Sequence, residues 1–172
     1  MKRKFVILLA ALLSAALCAP ALAAEDFRSA QSIDNFYAGM AAFKAANGLT
    51  GYINLQGETV IEPAWDDGDY FCEGRAWVKQ DGAYHLIDSR DNTVGASSWS
   101  NVYVDFGGSD FSRVFQGDKI GYVNLDGEIA LRPVYDKATR FCDGVACVLW
   151  NGTWYLIDER GVDLRNGTNT QA

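Results

Sequence analysis

The chain has 172 residues, with 22 acidic against 15 basic side chains and a formal net charge of −7 at pH 7. That balance disfavours nucleic acid and anionic lipid as partners, because both are polyanions. Hydrophobic residues make up 49 %, enough for a packed core, and a single histidine excludes a histidine-rich metal site.

The chain opens on Lys2-Arg3-Lys4, followed by an uncharged apolar stretch over 5–17. Pro20 breaks that stretch, and Ala21-Leu22-Ala23 offers small residues for cleavage, so 1–24 is expected to be a secretory signal peptide. A retained membrane anchor is the alternative, since no charge appears before Glu25, but the short apolar run and Pro20 fit cleavage better. Cys18 is not expected to carry a lipid, because Leu17 precedes it where a small residue is needed. Loss of the three basic residues takes the formal charge from −7 to −10. No later run is apolar enough to span a membrane. A secreted or cell-envelope protein is expected. Residues 25–34 read as a polar N-terminal tail, 35–164 as one β-repeat domain, and 165–172 as a polar C-terminal tail.

Within the domain the chain copies itself. Residues 51–91 and 121–161 align without a gap at a shift of 70, and Gly-Tyr-Ile-Asn-Leu-Gln-Gly-Glu at 51–58 returns as Gly-Tyr-Val-Asn-Leu-Asp-Gly-Glu at 121–128. Finer recurrences halve the period. Phe36, Phe71, Phe106 and Phe141 are spaced by 35, as are, nearly, Trp65, Trp99 and Tyr135. Each unit reads as three strands. The first lies over 52–55, 84–88, 121–125 or 154–158. A tight turn follows, in which Gly57, Gly127 or Gly161 supplies a positive φ and Asn54, Asp88, Asn124 or Asp158 can hydrogen-bond the turn backbone. The second strand is 59–62 or 129–132, ended by Pro63 or Pro133, which lack a ladder donor. The third is 74–79 or 144–149. The alanine-rich run 36–46 suggests helix by propensity, but its register with 71–79 predicts a third strand. The expected fold is all-β: about four short three-stranded antiparallel units in an open twisted array, with a closed propeller-like ring as the alternative.

Ile61-Glu62-Pro63-Ala64-Trp65-Asp66 and Leu131-Arg132-Pro133-Val134-Tyr135-Asp136, each followed by Phe-Cys-x-Gly at 71–74 or 141–144, resemble the WG-repeat family of bacterial proteins. The resemblance covers nearly all of 36–163. It departs from the pattern in having no intact Trp-Gly pair: Thr50-Gly51, Tyr84-His85, Ile120-Gly121 and Trp154-Tyr155 stand there. The second unit is the most eroded, with Ser97 in place of Pro63 and Pro133. The resemblance implies a β-rich repeat scaffold, often exported, and supplies neither a general chemistry nor a ligand.

Candidate chemistry is sparse. His85, the sole histidine, sits on a first strand where its copies are Gly51, Gly121 and Tyr155, so a packed strand residue is the better reading than a catalytic base. Asp66-Asp67-Gly68-Asp69 with Glu73 could hold calcium weakly, but its copy reads Asp136-Lys137-Ala138-Thr139 with only Asp143 further on, and its spacing is not that of an EF-hand, which favours a solvated turn. Gly107-Gly108-Ser109-Asp110 lacks the lysine of a phosphate loop. Cys72, Cys142 and Cys147 are expected as buried thiols. Most of the five tryptophans and eight tyrosines occupy repeat positions and read as core. Tyr70 and Trp150 do not, since their copies are Arg140 and Gln80, so these two are the expected ligand-binding residues. No catalytic residue, metal or cofactor is assigned. The expected role is a non-enzymatic binding or scaffold module for a protein or glycan at the cell envelope. A small carboxylate-based hydrolase, or an inhibitor-like module for an exported partner, is the alternative.

Overall fold

The computed structural model describes residues 27–106 and 108–172, so the expected signal peptide lies outside the described residues. Among the described residues the fold is all-β, with one 3₁₀ turn at Phe27–Ser29 and no helix long and apolar enough to cross a membrane. Four antiparallel sheets follow one another along the chain. The first holds β1 (Ser32–Ile33), β2 (Met40–Lys44), β3 (Thr50–Asn54) and β4 (Thr59–Trp65). The second holds β5 (Asp67–Gly68), β6 (Arg75–Gln80), β7 (Ala83–Asp88) and β8 (Thr93–Trp99). The third holds β9 (Asn101–Tyr103), β10 (Phe111–Gln116), β11 (Lys119–Asn124) and β12 (Ile129–Tyr135). The fourth holds β13 (Lys137–Ala138), β14 (Ala146–Trp150) and β15 (Thr153–Ile157). No sheet closes on itself, and the array is open.

The repeat register correctly makes Met40–Lys44 a strand, paired with β3 from Met40↔Asn54 to Lys44↔Thr50. The grouping of strands differs from the sequence reading. A third strand does not pair with the second strand before it; it belongs to the next sheet. Thus β6 pairs with β7 from Arg75↔Asp88 to Gln80↔Ala83. The cause is local. Asp81-Gly82 and Asn151-Gly152 are two-residue turns with φ of 52° and 81°, and 49° and 75°, the geometry that folds flanking strands into a tight hairpin. β2 therefore lacks nothing, because it belongs to a whole sheet, between the short edge strand β1 and β3.

The predicted turns form as expected. Asn54 Oδ1 accepts the backbone N–H groups of Gln56 and Glu58 at 3.0 and 2.9 Å, and Asp158 Oδ1 those of Arg160 and Val162 at 2.9 Å each. Gly57 and Gly127 have φ of 76° and 72°. A side chain at Gly57 would meet only the ring of Phe27, at 3.1 Å, whereas one at Gly127 would meet the carbonyl oxygen of Val94 at 2.6 Å. Replacing Gly57 by Val should therefore cost about 1–3 kcal/mol from the strained φ alone. Gly127→Val should cost more, since backbone cannot swing away. Urea denaturation of the two variants checks that order, and equal midpoints would refute it.

The core lies between successive sheets. Ala42 and Tyr52 of the first sheet pack against Val78 and Ile87 of the second, with Phe71 closing the contact. Trp77 and Leu86 meet Val114, Val123 and Phe106 in the same way, and Tyr122 meets Val148, Ile157 and Phe141. Phe71, Phe106 and Phe141 are 2, 4 and 3 % exposed, while Phe36, before which the described residues hold no sheet, is 44 % exposed. Tyr52 and Tyr122 each donate their hydroxyl across the junction, to the carbonyl oxygens of Asp69 at 2.9 Å and Thr139 at 2.6 Å.

Both segments expected as polar tails are docked instead. Phe27 and Ala30 cover Ala41, Phe43 and Ile53, the rear face of the first sheet, and Ser32–Ile33 adds an edge strand to it. At the other end Thr170 is buried and its Oγ1 lies 2.7 Å from the Tyr135 hydroxyl, while Gln171 Oε1 accepts the Arg132 N–H at 2.7 Å. The cysteines also depart from expectation: Cys142 and Cys147 are exposed and Cys72 is half-buried. β14 turns Cys147 away from the junction that buries its neighbours Ala146 and Val148, as strand alternation requires.

Candidate functional site

The residue before each repeat phenylalanine is Asn35, Tyr70, Asp105 or Arg140. The phenylalanines hold their places by packing, so the preceding residues are carried to corresponding places at one rim of each sheet. These four differ completely in chemistry, although they occupy one repeat position. A hollow of about 420 Å³ forms where the rims meet, lined among others by Tyr37, Tyr70, Asp105, Phe106 and Arg140. Every one of the four units contributes to it.

Tyr37 and Tyr70 stack at a centroid distance of 4.7 Å with planes inclined by 38°. The stacked pair also borders a second hollow of about 310 Å³, beside Asp34, Asn35 and Asp69. It is therefore a wall with a different charge on each side. On the acidic side, burial and then the charges of Asp67 and Asp34 raise the Asp69 carboxyl above its usual value. On the basic side, the Arg140 guanidinium lies over Gly108, with Nη1 3.1 Å from the place a Cβ would take there. Burial and then Cys72 raise the Tyr70 phenol, so it stays a neutral hydroxyl. Burial likewise raises the Cys72 thiol, reinforced by Glu73, and a thiol held protonated is a poor nucleophile.

A partly buried ion pair holds Asp105 at the edge of this hollow. Arg113 Nε and Nη2 donate to Asp105 Oδ2 and Oδ1 at 2.7 and 3.0 Å, and Nη1 donates to the Ala138 carbonyl at 2.8 Å. The Arg113 guanidinium also lies 4.2 Å from the Tyr103 ring centroid. Burial alone would lower the Arg113 pKa, but the two bonds to Asp105 and its charge outweigh that and raise it. Asp105 is thereby committed to structure, which leaves Tyr37, Tyr70 and Arg140 as the candidate contact residues of the hollow.

Of the two residues singled out from sequence, Tyr70 lies at this rim. Trp150 does not: it is half-buried beside the Asn151-Gly152 hairpin, edge-on to Tyr155 at 5.9 Å. The structure thus does not bring the two together. Tyr37 and Arg140 were not singled out; the repeat spacing that pairs Arg140 with Tyr70 was the signal for the latter. His85 is half-buried with its ring 6.3 Å from that of Trp65. In the acidic run, Asp66 Oδ2 accepts the Asp81 N–H at 2.8 Å and Asp67 Oδ1 the Gly68 N–H at 3.0 Å. Among the described residues no group of three or more His, Cys, Asp or Glu is arranged to hold a metal ion.

Comparison with known proteins places a family on two stretches of the chain. The family described as "WG containing repeat" matches residues 51–84 and 120–154. No curated protein matches the chain. Among solved structures, the chain is similar to KlHsv2 with loop 6CD replaced by a Gly-Ser linker, at 11 % identity and a TM-score of 0.41, over 73 % of this chain and 46 % of that one. It is similar to the WD40 beta propeller domain of Doa1 at 15 % identity and a TM-score of 0.37, over 74 % and 50 %. Kluyveromyces lactis Hsv2 with complete loop 6CD matches at 10 % and 0.36, over 73 % and 48 %. The chain spans about half the length of the solved structures it matches.

Proposed function

We propose, from the match of residues 51–84 and 120–154 to the family of WG-containing repeats, that the chain is an exported, non-enzymatic module that binds a protein or glycan at the cell envelope. The observation that carries this reading is the rim hollow. Four units keep a phenylalanine at one repeat position, yet place Asn35, Tyr70, Asp105 and Arg140 immediately before it. A fold needs the copies that stay the same; a ligand explains the copies that differ. Two tilted, adjoining tyrosine rings offer flat faces to a sugar ring or a peptide side chain, and Arg140 offers a donor pair to a carboxylate. Export rests on Lys2-Arg3-Lys4, the apolar stretch after it and Ala21-Leu22-Ala23.

Titration calorimetry with a panel of neutral and uronic-acid oligosaccharides and of acidic peptides tests the reading. Tyr70→Ala should weaken binding at least tenfold, and Arg140→Gln should weaken only the carboxylate-bearing ligands. Trp150→Ala should leave affinity unchanged. No binding by any member, or equal binding by the Tyr70→Ala protein, would refute it. One observation favours a hydrolase instead: Asp34 and Asp69 share a hollow, and Asp69 has a raised proton affinity. Glycoside cleavage that is lost in Asp69→Asn with the melt unchanged would decide for that alternative.

A further inference from the structure

Each sheet in the array has two faces, and the repeat register says what each face needs. Toward the preceding sheet it shows an aliphatic pair: Val78 with Ile87, Val114 with Val123, or Val148 with Ile157. Toward the following sheet it shows Tyr52, Leu86 or Tyr122, which are 0, 1 and 0 % exposed. Leu156 holds that position in the fourth sheet and is 36 % exposed. Trp154, at the position of buried Thr50 and Ile120, is 50 % exposed. Cys147, the cross-strand partner of Leu156, is exposed beside them. With Arg165 these residues line a shallow hollow of about 300 Å³. Stacked-repeat arrays ordinarily end on polar caps; this end shows tryptophan and leucine.

The opposite end shows the matching half. Phe71 and Phe141 each meet a forward-facing tyrosine, with ring centroids 4.9 Å from Tyr52 and 4.8 Å from Tyr122. Phe36, their copy, is 44 % exposed. The chain therefore presents both halves of a single contact that its sheets make three times internally. Behind Phe36, the apolar face of Phe43 and Ile53 is covered, among the described residues, by Phe27 and Ala30. Ala30 stands 35 residues before Trp65, so this turn occupies the place of a preceding sheet's last strand.

We propose that the fourth sheet docks on the first sheet of a second copy, with Leu156 and Trp154 seated against Phe36. The contact is head-to-tail, because it joins two different surfaces. The occupant follows from the three junctions inside the chain: a forward face of this pattern meets a rear face with a phenylalanine at its rim, and the chain's own first sheet has such a rear face, beneath the Phe27–Ala30 turn. The Phe27–Ala30 turn competes with the incoming sheet and sets how tightly the copies hold.

Sedimentation velocity of the purified protein over a concentration series tests the proposal. Wild type should pass from monomer to dimer or larger species as concentration rises. Leu156→Asp and Phe36→Asp should each weaken association at least tenfold with circular dichroism and melting unchanged, and Phe27→Ala should strengthen it. Should Leu156→Asp fail to fold, Trp154→Ser on the same exposed face is read in its place. Maleimide labelling of Cys147 should slow at concentrations where copies associate. A wild type that stays monomeric throughout overturns the proposal. So does an association that Leu156→Asp abolishes and Phe36→Asp leaves intact, since two fourth sheets would then face each other.

Discussion

Phe141→Ala should lower the unfolding free energy by about 3–5 kcal/mol, the usual cost of removing a buried aromatic side chain. Its ring lies 4.8 Å from that of Tyr122 and 5.3 Å from that of Phe111, at 3 % exposure, so truncation opens a cavity in the junction between the third and fourth sheets. The chain supplies its own control. Phe36 is the same residue at the same repeat position but is 44 % exposed, so Phe36→Ala should change stability by about 0.5 kcal/mol or less. Denaturant unfolding at low protein concentration separates the two. Equal losses would mean that the phenylalanines act within their own units and not between sheets.

Gly121→Ala should cost about 3 kcal/mol, the upper part of the usual range for overpacking. A Cβ there would lie 2.6 Å from the Leu131 carbonyl oxygen and 2.7 Å from the Pro133 nitrogen, and at Gly51 it would lie 2.6 Å from the Ile61 oxygen and 2.9 Å from the Pro63 nitrogen. Both glycines face strands whose register slips beside the proline, between Ile120 and Tyr122 and between Thr50 and Tyr52. The bulge pushes backbone toward the glycine. In the second unit His85 replaces the glycine and Ser97 the proline, so glycine and proline are kept or lost together. Pro133→Ser should accordingly recover part of the loss in Gly121→Ala. Thermal melts of the single and double variants check this, and strictly additive effects would break the link.

The strands, their turns and the repeat were legible in the residues, because each rests on local physics. Asn54 and Gly57 make their turn from neighbouring atoms, and the recurrence at 71 and 141 outvoted the helical propensity of 36–46. The hairpin turns Asp81-Gly82 and Asn151-Gly152 were equally local signals, and weighing them would have placed each third strand in the following sheet. Tyr70 could be found because its copies are unlike it. Other features had no local cause. Tyr37, Tyr70 and Arg140 meet only because three different junctions bring their rims together, and such a meeting depends on distant packing. Whether a repeated side chain is covered likewise depends on a neighbour: Leu156 and Tyr122 hold one register position, yet only Tyr122 has a sheet in front of it. Local sequence determined the shape of each unit; the stacking of units decided which copies became core and which were left as surface.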